Sequence, residues 1–344
     1  MRAKFGLAFG LALIVSPVVA WAQIPARPPA TGFKIVPLVS DLSGAAANTD
    51  PDLVNPWGLA QAPGAPVWVS DNGTDKSTIY DRSSGAKSSL IINISPGAPT
   101  GIVYVPAGSG FVVTKNGHSG ASGFIYDTES GAIEGWSGSV DTSNAVLAYD
   151  GSPNGSVYKG LALDTAQQHL LAADFTNNQV QIFDNTFTPI GGFTDPGLPK
   201  NFAPFNVAII GGKVYVAFAK REKHGIDEVD GKHLGYVDVF DTSGNLQQHL
   251  ISNGPLNAPW GMALAPDNFG TFSGALLVGN FGDGKINAFD PSTGDFLGTV
   301  SNKKGKPLKI DGLWGLDPGP GNAVTFSAGT NGEADGLLGL IQPN

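Results

Sequence analysis

A short phrase recurs five times along this chain and restricts what it can fold into. It reads STIYD ending at Asp81, GFIYD ending at Asp127, VQIFD ending at Asp184, YVDVFD ending at Asp241 and KINAFD ending at Asp290. Each copy is a two-residue alternation closed by an aromatic residue and an aspartate, then a turn such as RSSG, TESG, TSGN or PSTG. The aspartates lie 46, 57, 57 and 49 residues apart. A period of that length built from strands and turns is the mark of a propeller blade. A second element precedes the phrases, as Gly58-Leu59-Ala60, Gly101-Ile102-Val103, Gly160-Leu161-Ala162, Asn206-Val207-Ala208, Gly261-Met262-Ala263 and Gly315-Leu316-Asp317. It has six copies. An apolar strand lies between the two elements: PVWVSD at 66–71, FVVTK at 111–115, HLLAAD at 169–174, KVYVAFAK at 213–220, ALLVGN at 275–280 and AVTFSAG at 323–329. A more polar strand follows each phrase, as in LQQHLIS at 246–252, so four strands make a unit.

The sixth unit ends at Gly339-Leu340-Ile341 without a fourth strand, while the first has a spare one before it, FKIVPLVSDL at 33–42. The expected fold is therefore all-β, a six-bladed propeller closed by the N-terminal strand completing the last blade, which removes an open sheet edge. Glycine at the head of each inner strand lets crowded backbones approach one another. The aromatic of each phrase is expected to pack between blades, and all five aspartates to open turns by bonding their own backbone two residues on.

Residues 1–22 read as a secretory signal: Arg2 and Lys4, an apolar run from Phe5 to Ala20, and Ala20-Trp21-Ala22 as the cleavage site before Gln23. Residues 23–32 form a Pro-rich leader and 33–344 the propeller. The mature protein is expected to be secreted or periplasmic, not inserted in a membrane, and monomeric. There is no cysteine, so stability must come from burial and ring closure, not disulfides. The 48 glycines and 25 prolines are spread evenly, as many tight turns require. A formal charge of −9 with no basic run argues against nucleic acid as a partner.

The stretch HLLAADFTNNQVQIFD at 169–184 resembles an NHL-type repeat, and the whole an NHL/SMP-30-like propeller. NPWGLA at 55–60, VSDNGTDKSTIYD at 69–81, APWGMALAP at 258–266 and YVDVFDTSG at 236–244 resemble an uncharacterised family of exported bacterial propellers. Members of that family often carry a PEP-type C-terminal sorting tail, whereas this sequence stops at Pro343-Asn344. The resemblance implies the fold and supplies no catalytic residue.

In a propeller, inner strands begin and second strands end on one face, which collects two loops per blade. That face is expected to carry Asn55, Trp57, Asp71 and Asn72 from blade one and Thr100, Lys115, Asn116 and His118 from blade two. Lys159, Asp174, Asn206, Trp260, Asn280, Trp314, Asn331 and Glu333 follow from the later blades. Candidate ligand contacts are Asn55, Trp57, Asn72, Asn206, Trp260, Trp314 and Asn331. The tryptophans either form an aromatic rim or wedge adjacent blades apart. Asp71, Asp174 and Asn280 end equivalent strands, and oxygens converging on one axis suit a divalent cation such as Ca²⁺. Lys115 and Lys220 at the same position argue against a full ring of donors. The charged insertion KREKHGIDEVDGKH at 220–233 reads as a solvated lid, and His224 and His233 there, with His118, make a weaker metal set. His249 falls in an outer strand and reads as structural. No G-x-S-x-G elbow or H-E-x-x-H occurs. The leading expectation is an exported module binding a small molecule, glycan or protein at the channel mouth. The alternative is a metal-dependent, lactonase-like hydrolase or lyase in the central channel.

Overall fold

The computed structural model describes residues 31–166, 168–223 and 225–344. The expected signal at 1–22, most of the Pro-rich leader and His224 lie outside the described residues. Six blades of four antiparallel strands follow one another, the sixth extended at its edge by the two-residue strand Asn48–Thr49 running parallel to its neighbour, and their inner strands touch in a closed cycle. Blade one is Pro56–Ala60, Val67–Asp71, Lys76–Tyr80 and Ile92–Asn93. Blade three is Tyr158–Asp164, His169–Asp174, Gln179–Phe183 and Pro189–Phe193. Blade four is Phe202–Ile210, Lys213–Lys220, Tyr236–Phe240 and Leu246–Ser252. Blade five is Pro259–Leu264, Leu276–Asn280, Ile286–Phe289 and Phe296–Thr299. Blade six takes Leu313–Pro318, Val324–Thr330 and Asp335–Pro343 from the C-terminal end of the chain, and Phe33–Ser40 as its outer strand. Phe33 pairs with Pro343 and Ser40 with Leu337, so the ring closes as expected.

Blade two departs from the sequence reading. Its strands are Pro99–Tyr104, Phe124–Thr128, Ala132–Trp136 and Val146–Asp150, so the phrase GFIYD forms the second strand and not the third. The segment read as its second strand, FVVTK, lies in a separate hairpin of Val112–Lys115 with His118–Ala121. Asn116 and Gly117 take φ of 53° and 80° at the tip. Two left-handed residues are what a tight two-residue hairpin turn requires, and Asn-Gly supplies them at little steric cost. The hairpin interrupts the connection from inner to second strand, which belongs to the opposite face. Lys115, Asn116 and His118 therefore leave the expected site face, and Lys115 pairs instead with Asp141 at 2.7 Å.

The core is divided among the seams. Six apolar clusters each fill one junction between adjacent blades. The phrase aromatics Tyr80, Tyr126, Phe183, Phe240 and Phe289 all lie in them. Second strands such as Val67–Asp71 are buried along their whole length because a neighbouring blade covers each face. The outer strand Pro189–Phe193 is almost wholly exposed. At the axis the glycines act as expected: a Cβ on Gly101 would stand 2.4 Å from Leu161 N, and one on Gly261 2.5 Å from the Trp314 carbonyl. Blade four has Asn206 there, whose amide donates across the seam to Trp260 O at 2.8 Å.

Four of the five phrase aspartates open turns. Asp81, Asp184, Asp241 and Asp290 each accept from the backbone N–H two residues on, at 2.8 to 3.1 Å. Asp127 does not. As the end of a second strand it is fully buried and accepts from Thr100 Oγ1 at 2.9 Å and Gly101 N at 2.5 Å. Burial raises its pKa to about 7. No helix among the described residues is long and apolar enough to cross a membrane.

Candidate functional site

The tryptophans form a plug. Trp57, Trp260 and Trp314 come from the heads of three inner strands and are 2%, 4% and 0% exposed. Trp57 stacks on Trp314 with centroids 3.5 Å apart, and Trp260 meets both edge-on at 5.9 Å. Phe205, Phe175 and Phe281 complete the cluster. Trp260 Nε1 donates to Lys159 O at 2.7 Å, a bond that spans from blade five to blade three. The axis is thus blocked toward the loop-rich face by stacked rings, a third arrangement beyond rim or wedge. Below the plug a cavity of about 530 Å³ runs along the inner strands, walled by Leu59, Ile102, Leu161, Val207 and Met262. Its far end carries Asp317, whose pKa burial raises to about 7, with Gln61 donating to it at 2.6 Å.

Above the plug lies a cluster of charged side chains. Lys159, 1% exposed, directs Nζ to Glu129 Oε1 at 2.5 Å and to Asp227 Oδ1 at 3.5 Å. The same ammonium stands 5.3 Å from the Trp57 ring centre and 5.9 Å from that of Phe175. Burial works to lower the Lys159 pKa, but the charges of Glu129, Glu228 and Asp227 outweigh it and hold it above the usual lysine value. Glu228 is raised to about 7 by burial, against the relief that Lys159 gives. Glu333 is raised by burial and by the nearby Glu129 charge. Four carboxylates therefore gather near one ammonium. They come from blade two (Glu129), blade four (Asp227 and Glu228) and blade six (Glu333), all in connections that follow second strands.

Asparagines join this bowl to the plug. Asn55 accepts from Trp314 Nε1 at 3.0 Å and donates to Asn72 Oδ1 at 3.3 Å and Glu333 Oε2 at 3.4 Å. Asn72 in turn donates to Glu129 Oε2 at 2.9 Å. Asn55 holds a φ of 46°, a left-handed geometry that asparagine accepts more readily than most residues.

The other sequence candidates lie elsewhere or are committed to their own blades. Asp71 accepts from Thr78 Oγ1 at 2.7 Å, and burial raises its pKa well above the carboxylate range. Asp174 accepts from Ser156 Oγ and Asn177 Nδ2, and Asn280 donates to Pro255 O and Asp283. All three are fully buried. Asn206 belongs to the seam described above. Asn331 is exposed and held by Asp311 and Asp335. His118 is exposed at the hairpin tip, and His233 meets Gly254 O at 2.5 Å. Glu129 escaped sequence reading because the misplaced strand of blade two hid its position. The signal was Asn116-Gly117 between two short β-type runs.

No family model matches the chain. Two uncharacterized proteins of Acanthamoeba polyphaga mimivirus match it along most of both lengths. One is 34% identical over 90% of this chain and 80% of its own, the other 35% identical over 92% and 87%. The chain belongs to their family. These relatives are viral, so the bacterial origin and export implied by the earlier resemblance do not come from them. Among solved structures, a streptogramin B lyase superposes with a TM-score of 0.54 at 11% identity, covering 91% of this chain and 98% of its own. A luciferin-regenerating enzyme gives 0.55 at 12%, covering 85% and 92%. A chain of a nidogen/laminin complex gives 0.52 at 14%, covering 77% and 84%. Identities this low carry the six-bladed fold alone.

Proposed function

We propose that this protein is an exported, monomeric binding module whose loop-rich face receives a positively charged organic group, an amine or guanidinium on a small molecule or protein. The observation that supports this is the bowl of Glu129, Asp227, Glu228 and Glu333, which Lys159 alone neutralises only in part. Excess negative charge over a desolvated floor attracts cations. The spacing favours an extended cation over a bare metal ion. A hard metal draws its oxygens to bonds of roughly 2.0–2.6 Å. No three of these carboxylates bring oxygens within 4.8 Å of one another among the described residues. An ammonium or guanidinium spans wider gaps with its own N–H bonds. The leader pattern at 1–22 supports export.

The test uses isothermal titration of the purified protein with agmatine and spermidine, against uncharged diols of matched length. Binding of the amines is expected to weaken with salt and to fall at least about tenfold in Glu129→Gln/Glu333→Gln. Equal binding of the diols, or unchanged affinity in the double variant, would overturn the reading. Turnover of a lactone only with added divalent metal would favour the lyase or hydrolase alternative.

A further inference from the structure

A separate cluster lies away from the axis, where blade three hands over to blade four. Asp238 is in the third strand of blade four and His249 stands directly opposite it in the outer strand. Asp195 comes from the connection just beyond the outer strand of blade three. His249 Nδ1 is 3.2 Å from Asp195 Oδ2 and 3.3 Å from Asp238 Oδ1. One donor atom from each residue lies within 4.8 Å of the other two. Asp238 is 0% exposed and Asp195 5%, yet Oδ2 of each has no hydrogen-bond donor. The remaining oxygen of Asp195 is taken by Gly197 N at 2.7 Å.

This arrangement is poorly explained as a hydrogen-bonded cluster. A neutral imidazole has one N–H, and Nδ1 can direct it at only one of the two carboxylates. Two buried carboxylates side by side repel unless a shared proton or a cation lies between them, and leaving their oxygens unpartnered costs more than solvating them. A cation between them removes both problems. The distances indicate which kind. Four ligands around zinc at bonds of ~2.0–2.1 Å stand ~3.3 Å from one another, the edge of the tetrahedron. The two imidazole-to-carboxylate distances are already at that edge. Nitrogen with two oxygens suits zinc and its neighbours better than Ca²⁺, which takes six to eight oxygens. The His249 side chain is 51% exposed, leaving room for a water as fourth ligand and for Nε2 to face solvent.

We propose that Asp195, Asp238 and His249 form a zinc-class transition-metal site that fastens blade three to blade four. The site is independent of the acidic bowl, since the two share no residue. The full chain, purified without an affinity tag and stripped with chelator, is titrated with ZnCl₂, and with CoCl₂ to read coordination by visible absorption. Expected are one equivalent bound, an intense tetrahedral cobalt spectrum, and a melting temperature that rises with free zinc. His249→Ala and Asp195→Asn are expected to weaken zinc by about tenfold or more and to abolish both signals. His249 is half exposed, so its removal leaves the fold intact, and a metal-free melt verifies this. A His118→Ala/His233→Ala variant should bind normally. Absence of zinc binding, retention of the site in both ligand variants, or its loss only in the histidine control would each overturn the proposal.

Discussion

At the scale of single residues, an aspartate's role here follows from whether its strand ends in water or in a seam. Asp81, Asp184, Asp241 and Asp290 close third strands at the rim, where side-chain hydrogen bonds from Ser84, Thr186, Asn245 and Ser292, reinforced by backbone N–H groups, hold their pKa below the usual value. Asp127 carries the same local phrase but ends a second strand, and burial pushes it up to about 7 from an ordinary 3.8. The sign of the consequence follows from proton linkage. The folded state keeps this proton where the unfolded state has lost it, so the contribution to stability is greatest below about pH 4 and declines toward pH 7. The loss is at most roughly 1.4 kcal/mol per pH unit in that window. Asp127→Asn keeps the acceptor for Thr100 and Gly101 and cannot ionise. Thermal melts should show the variant gaining on wild type as pH is raised from 5 to 8, and a pH-independent gap would refute this. The sequence disclosed the four rim aspartates because their bonds are local. It concealed the fifth because a hairpin signalled by Asn116-Gly117 displaced its strand.

Elements differ in how much of the fold depends on them. Phe33–Ser40 buries Phe33 against Phe269 and Phe272, with Leu38 and Val39 in the seam to blade one. Three such side chains contribute roughly 5 kcal/mol or more, and the exposed edge of Asp335–Pro343 would add a route to aggregation. Deleting residues 23–42 should therefore cause loss of a cooperative melt or a large fall in melting temperature, while deleting 23–31 should change little. Closely matched melts would refute the closure. That strand was legible because a spare strand at one end of the chain and a missing fourth strand at the other have one economical solution. The insertion at 220–233 is the opposite case. Exchanging Glu222 to Gly231 for a short Gly-Ser linker should cost about 1 kcal/mol or less, since loop entropy changes slowly with length. The same exchange removes Asp227 and Glu228 from the bowl, so amine affinity should fall while the melt stays put. Its charge was plain in the sequence, but its approach to Lys159 required the ring, because Asp227 and Glu228 lie 68 and 69 residues away from it along the chain.

For the whole molecule, ring closure brings the two ends of the described fold together: Asn344 N donates to Gly32 O at 2.8 Å, beside the pair Phe33 and Pro343. A circular permutant joining 344 to 32 by a short turn, and reopened between Ser83 and Ser84, should fold with a melting temperature within a few degrees of the parent. Failure to fold would mean that the order of strand addition matters beyond the final contacts. Six blades, their seams and the closure were readable from period and composition because each blade repeats one packing problem. The plug was not, because three tryptophans at equivalent positions look alike in sequence whether they face a seam or one another across an axis. The fastening strand also determines how the ring responds to pulling. Phe33 and Pro343 lie side by side at one end of that antiparallel pair, so tension applied between them opens the hydrogen bonds one after another, as a zipper does, and never loads them all together in shear. A ring hard to melt would then peel apart at low force, starting at blade six.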